Sequence, residues 1–159
     1  MANTFTQCYF HIVFSPKSRE ALIQKIWKDE LEKYMTVIVQ ANGHKMMAIY
    51  CMPDHVHILI GYNVNQLIPK LVEQIKTSSN AWIKEKKLSR YRFKWQKGYG
   101  AFTHSKGNVD TVINYILNQE AHHKKTTFRE EYLRFLKESG IVYKEEYVFE
   151  FFDDVNEKG

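Results

Sequence analysis

A chain of 159 residues, 44% hydrophobic and 26% charged, has room for one packed core and no second comfortable domain. No stretch approaches the roughly 18 uninterrupted apolar residues of a membrane span, and "MANTFTQCYF" lacks the charged start and apolar centre of a secretory signal, so a cytoplasmic protein with no membrane partner is expected. The net charge of +5 is uneven: the chain from Lys144 onward carries −4, which leaves +9 on residues 1–143 and points that body toward a polyanion.

In chain order, "TQCYFHIVFSP" predicts a short strand stopped by Pro16. Leu22, Ile23, Ile26, Trp27, Leu31, Tyr34 and Met35 recur at helical spacing and predict a helix over 19–41, closed by Asn42 and Gly43. "KMMAIYCM" and "HVHILIGY" read as a hairpin of two strands turning at Pro53 and Asp54. A second helix is predicted over 66–87 and a fourth strand in "YGAFTHS". The third helix, "VDTVINYILNQEAHHKK", opens at Gly107-Asn108, with Asn108 as its N-cap and Asp110 near the positive end of its dipole. "TFREEYLRFLKESG" predicts a last helix, with Thr127 and Glu130 spaced as a capping box and Gly140 as its stop. The order β-α-β-β-α-β with trailing helices is that of an α+β ferredoxin-like split βαβ sandwich, an antiparallel four-stranded sheet with additional C-terminal helices. Cys8 and Cys51 lie in strand-like runs and read as reduced core thiols.

Chemistry concentrates at two places. In "CMPDHVHILI" the imidazoles of His55 and His57 share one face of a strand, because successive side chains alternate. On the third helix, Val109, Val112, Ile113, Ile116 and Leu117 form the core stripe, while Thr111, Tyr115, Gln119 and His122 follow one border of it. Two imidazoles and the Gln119 carbonyl are neutral donors, so a divalent cation held by them keeps its full charge to offset a phosphodiester. Tyr115, one turn before Gln119, is placed as the nucleophile, and a nearby cation would favour its phenolate. His11 and His122 are candidate supporting residues; His123 is expected to do no more than favour the helix dipole, and Asp54 to fix the hairpin turn.

The blocks "MPDHVHIL", "WQKGYGAFTHS" and "YILNQEAHH" closely resemble the single-tyrosine HUH transposases of small bacterial insertion sequences, the superfamily that includes the REP-associated tyrosine transposases. The resemblance runs from about Thr6 to about Lys125. It implies a metal-dependent transposase in which Tyr115 attacks single-stranded DNA, leaving a 5′-phosphotyrosine and a free 3′-hydroxyl. It also implies Mg²⁺ or Mn²⁺ on His55, His57 and Gln119, recognition of DNA hairpins at the ends of a mobile element, and a homodimer. A catalytic domain over 1–125 is expected, followed by a C-terminal helix and acidic tail over 126–159. Because a phosphotyrosine conserves the energy of the broken bond, no nucleotide cofactor is needed, and the chain contains no P-loop motif.

For DNA contact the sequence offers "KKLSRYRFKWQKGY", which interleaves Lys86, Lys87, Arg90, Arg92, Lys94 and Lys97 with Tyr91, Phe93, Trp95 and Tyr99. At least one of Phe93 and Trp95 is expected in the core. Lys76 to Ser79 on the second helix are further candidates for backbone contact. Leu59 stands where a metallo-β-lactamase site wants an acid and a histidine-triad hydrolase a third histidine, which excludes both. The alternatives that remain are a domesticated hairpin-binding protein that does not cut, and another HUH nuclease such as a relaxase or replication initiator.

Overall fold

The protein is described by a computed structural model covering residues 3–152. Its strands are β1 (Tyr9–Phe14), β2 (Lys45–Met52), β3 (His55–Gly61) and β4 (Gly100–His104). The helices are α1 (Lys25–Ala41), α2 (Ile68–Glu85), α3 (Val109–Leu117), α4 (Gln119–His122) and α5 (Phe128–Glu138). The strands form one antiparallel sheet in the order β2-β3-β1-β4, as expected for the split βαβ arrangement. β3 is therefore interior, and its residues are buried from His55 to Ile60.

The faces of β3 divide the work. Val56, Ile58 and Ile60 enter the main hydrophobic cluster with Trp27, Leu31 and Met35 of α1 and Leu71, Val72 and Ile75 of α2. Leu59 joins a smaller cluster with Val109, Val112 and Ile116 of α3, and His55 and His57 share its face of the strand. The register sets Val13 opposite His57 and His11 opposite Leu59, so His11 projects on the histidine side as well.

α1 begins at Lys25 rather than near Arg19. Ser18 accepts a hydrogen bond from the backbone N–H of Glu20, Ala21 N–H turns back to the Ser18 carbonyl, and Ile23 N–H reaches the Pro53 carbonyl. Those donors serve a turn, and the apolar Ala21 and Ile23 are buried in it without helix. The third predicted helix is interrupted at Asn118, which separates α3 from α4. Asn108 makes no capping bond through its side chain, and Leu117, placed in the core stripe from its spacing, is 55% exposed.

α5 starts as the sequence predicts, with the Thr127 side chain accepting from Glu130 N–H, and its end is followed by Gly140 at φ +66. Phe128, Tyr132 and Leu136 bury its inner face, and Phe149 and Phe151 of the following segment pack on Phe128 and Tyr132. Gly100, opening β4, permits a close approach: a Cβ there would lie 2.7 Å from the Tyr132 hydroxyl. The end of the acidic tail, including Asp153, Asp154 and Glu157, lies outside the described residues. Cys8 and Cys51 are free thiols, and among the described residues no helix is long and apolar enough to cross a membrane.

Candidate metal and nucleophile centre

The residues singled out at the centre come together from β1 (His11), β3 (His55, His57), α3 (Tyr115) and α4 (Gln119, His122). His55, His57 and Gln119 are fully buried, and Gln119 Oε1 lies 3.1 Å from His55 Nε2. The break at Asn118 aims that amide: its Nε2 donates to the Tyr115 carbonyl at 3.3 Å, which leaves Oε1 to face the imidazoles. His55 Nδ1 and Asp54 Oδ1 are 2.8 Å apart, and His57 Nδ1 and His11 Nε2 are 2.6 Å apart. With a cation on the two Nε2 atoms, a proton on each Nδ1 would face these partners, the orienting role that outer partners play around metal-bound histidines. His11 thus touches His57 directly. Asp54 does more than fix a turn, since it is buried and grips His55 directly.

Two residues of the centre were not singled out by sequence reasoning. Glu131 of α5 is fully buried, with Oε1 2.8 Å from His57 Nε2 and 3.7 Å from His55 Nε2. Its other oxygen lies 3.2 Å from both His122 Nε2 and His123 Nε2, and it accepts the Tyr115 hydroxyl. His123 is likewise buried, with Nε2 2.8 Å from Gln119 Oε1, so its place is in the site and not only at a helix end. A weak signal for Glu131 exists: at 100° per residue it borders the apolar arc of Phe135, Phe128 and Tyr132, next to Phe135, where an unpaired carboxylate would be costly if buried.

The donor atoms of His55, His57, His123 and Glu131 all lie within 4.8 Å of one another. Together with Gln119 they offer imidazole nitrogen, carboxylate and amide oxygen, a donor set that fits a divalent cation. Glu131 adds a carboxylate to the neutral donors His55, His57 and Gln119. Its charge offsets part of an ion's, and so reduces what is left for a phosphodiester.

The electrostatics follow from burial. Burial alone would depress His55, but Asp54 and Glu131 outweigh it and hold that imidazole above its ordinary value. Burial dominates at His57 and His11 and lowers both, although Glu131 opposes it. Glu131 is held far below the usual carboxylate range, since His57, His122 and His123 together outweigh its own desolvation. Tyr115 is half-buried, and burial together with the Glu131 charge pushes its phenol well above the ordinary value. Its hydroxyl also meets His122 Nε2 at 3.0 Å and Arg134 Nη2 at 3.3 Å.

The basic loop is exposed at Lys86, Lys87, Arg90, Arg92, Lys94 and Lys97, while Phe93 and Trp95 are both buried. Gln96 anchors it through the Ser15 hydroxyl at 3.3 Å, and Ser15 donates in turn to the Asp54 carbonyl at 2.8 Å, beside His55. Lys76 does not face outward as a backbone contact would. It donates to the Gln96 and Gly98 carbonyls at 2.8 and 2.6 Å, and burial lowers it to about 8. Ser79 is buried and accepts from the Trp95 indole at 3.0 Å, so both residues brace the loop.

A four-stranded antiparallel sheet carrying a histidine pair against a helix-borne tyrosine defines a recognisable class. Residues 4–119 match the sequence profile of the family described as "Transposase IS200 like". The chain belongs to the IS200-like transposase family, and α5 lies beyond the matched residues. Relatives include the ISDra2 transposase TnpA of Deinococcus radiodurans, 30% identical over 73 residues, which are 46% of this chain and 52% of that protein. The chain therefore spans about half the length of that relative. The transposase for insertion sequence element IS200 of Salmonella typhimurium is 24% identical over 75% of this chain and 81% of its own length. Among solved structures, a Deinococcus radiodurans R1 protein described as a transposase superposes with a TM-score of 0.59 at 23% identity, over 75% of this chain and 95% of that one. A REP-associated tyrosine transposase bound to a REP hairpin superposes with a TM-score of 0.58 at 10% identity, over 77% and 73%. At these identities the superpositions bear on fold alone.

Proposed function

We propose that this protein cuts and rejoins single-stranded DNA at the hairpin-marked ends of a mobile element, with Tyr115 as nucleophile and a 5′-phosphotyrosine as intermediate. The observation that carries this reading is the placement of the Tyr115 ring 6.1 Å from that of His57, with Glu131 touching both side chains. His55, His57 and Gln119 would hold Mg²⁺ or Mn²⁺, with Glu131 and His123 within reach of the same ion. When bound, such an ion supplies Lewis-acid polarisation of the phosphoryl oxygen and offsets the Glu131 charge that disfavours the Tyr115 phenolate. The chain's own part is to orient: Asp54 and His11 fix the imidazoles, Gln119 is tied to the Tyr115 carbonyl, and His122 contacts the hydroxyl.

The catalytic unit in this reading extends past the expected boundary at residue 125, because α5 supplies Glu131 to the centre. The assembly is a homodimer, and Tyr115 meets the histidine pair of its own chain. Lys86, Lys87, Arg90, Arg92, Lys94 and Lys97 grip the hairpin backbone. Arg90→Ala with Arg92→Ala is expected to weaken hairpin binding at moderate salt and to flatten its salt dependence by roughly one contact per residue removed. Unchanged affinity in a fluorescence-anisotropy titration would remove this loop from the interface.

The reading is tested with hairpin oligonucleotides labelled at either the 5′ or the 3′ end, incubated with Mg²⁺ or Mn²⁺ and resolved on a denaturing gel. A covalent adduct carrying the 3′-side fragment, lost with a chelator, is the expected result. A second reading, a hairpin-binding protein that does not cut, draws support from the Glu131 carboxylate bonded to the Tyr115 hydroxyl. Tight hairpin binding without adduct across several hairpins would favour that reading.

A further inference from the structure

We propose that Arg134 is a catalytic residue of this site, gripping the scissile phosphate beside the Tyr115 oxygen. The inference rests on Tyr115 as the nucleophile. α5 presents Glu131 and Arg134 one turn apart, and both touch the same atom: Glu131 accepts from the Tyr115 hydroxyl on its buried side, and Arg134 Nη2 donates to it at 3.3 Å. The third side-chain partner, His122, is 21% exposed, whereas the Arg134 side chain is 43% exposed. A phosphodiester arriving from solvent reaches the hydroxyl on the Arg134 side.

The chemistry requires a cation there. A phosphodiester and a developing phenolate are both repelled by the buried Glu131 carboxylate, which sits against the hydroxyl. The guanidinium is a permanent positive charge in contact with the reacting oxygen, set against the Glu131 carboxylate on its buried side. Of its five N–H donors, one is spent on the phenol oxygen, and Nε lies 3.8 Å from Glu138 Oε1 on the next turn. The remaining donors form a planar fork matched to two non-bridging phosphate oxygens. The Phe135 ring, 5.6 Å from the guanidinium carbon, supports that orientation.

The step balances without any added reagent. The Tyr115 Oη–P bond forms as the P–O3′ bond breaks, the phenolic proton leaves to solvent, and the departing 3′-oxygen takes one up. Through that exchange the phosphorus carries extra negative charge on its equatorial oxygens, where the Arg134 fork would hold it. Removing one such preorganised donor typically costs about 10²–10³ in rate. Hairpin affinity, spread over many basic contacts, should change by less than about threefold, because one backbone contact is a small share of the total.

The test is single-turnover adduct formation by wild type, Arg134→Ala and Arg134→Lys, with hairpin affinity measured on the same proteins. The expected result is a loss of about 10²-fold in adduct rate for Arg134→Ala at nearly constant affinity. Arg134→Lys should recover only part of it, because an ammonium keeps the charge and loses the fork. Because Arg134 is at the surface, a thermal melt should show both variants folded. Wild-type adduct rates in Arg134→Ala would overturn the assignment, as would a rate loss matched by an equal loss of affinity. Absence of adduct in wild type would instead remove the nucleophile reading, and this assignment with it.

Discussion

Tyr115→Phe is expected to abolish covalent attachment of DNA while leaving the fold and the buried cluster in place. The change removes one oxygen from a half-buried ring that keeps its contacts with His57, His122 and Phe135. Glu131 loses one of its hydrogen bonds and retains His57, His122 and His123, so the stability cost should be about 1 kcal/mol, that of a single hydrogen bond. The rate effect is of another order. With its nucleophile gone a covalent mechanism has no residual route at this phosphorus, and losses on the order of 10⁴-fold or more are usual. The experiment pairs a denaturing gel for adduct with a calorimetric titration of Mn²⁺. Undiminished Mn²⁺ binding with no adduct is the expected outcome. An adduct of undiminished yield in the variant would move the nucleophile to another residue.

Why the tyrosine was legible and its neighbours were not is a matter of periodicity. His55 and His57 announce themselves because a strand buried on both faces has no ordinary use for two imidazoles on one of them. Tyr115 and Gln119 share a helical border, and that relation survives even though Asn118 interrupts the helix between them. The interruption itself was invisible: Asn118 is tolerated within helices, and only tertiary packing shows that the chain turns there. Glu131 was missed for a different reason. In "FREEYLRFLKE" it neighbours Glu130, which is exposed, and two adjacent acids read as a solvated first turn. Local spacing says nothing of the three histidines that surround it, because they come from β3 and from the end of α4 with the residue after it, 74 and 8–9 positions away. His123 was obscured in the same way, its neighbour His122 having drawn the attention due to the pair. At the N-terminal end of α1 the spacing holds only in part: Ile23 is buried outside the helix, and Ile26, placed in the apolar stripe, is 87% exposed.

Glu131→Ala is expected to be the most destabilising single change at the centre of the metal-free protein. The carboxylate lies against His57, His122, His123 and the Tyr115 hydroxyl at full burial. Its removal leaves His57 Nε2 without its partner, whereas His123 Nε2 keeps Gln119 Oε1 and the Tyr115 hydroxyl keeps His122. His55, held above its ordinary value, lies 3.7 Å from Glu131, and breaking a buried ion pair by deleting one member costs about 3–5 kcal/mol. Glu131→Gln should cost less, because an amide oxygen still accepts from the tyrosine or an imidazole. The pH dependence carries the sign of a depressed carboxyl. Its contribution is fully present above the unfolded-state value of about 4.3 and falls away progressively as pH drops toward the much lower folded value. Urea denaturation in the presence of a chelator, run near neutral pH and again near pH 4 and below, measures both effects. The gap between wild type and Glu131→Gln should narrow across the acid series, since the wild type alone takes up a proton on unfolding at this position. A gap below about 1 kcal/mol for Glu131→Ala at neutral pH would be the scale of one ordinary hydrogen bond. That would mean the imidazoles do not depend on Glu131 for their placement, and that α5 is held to the sheet by Phe128, Tyr132 and Leu136 alone.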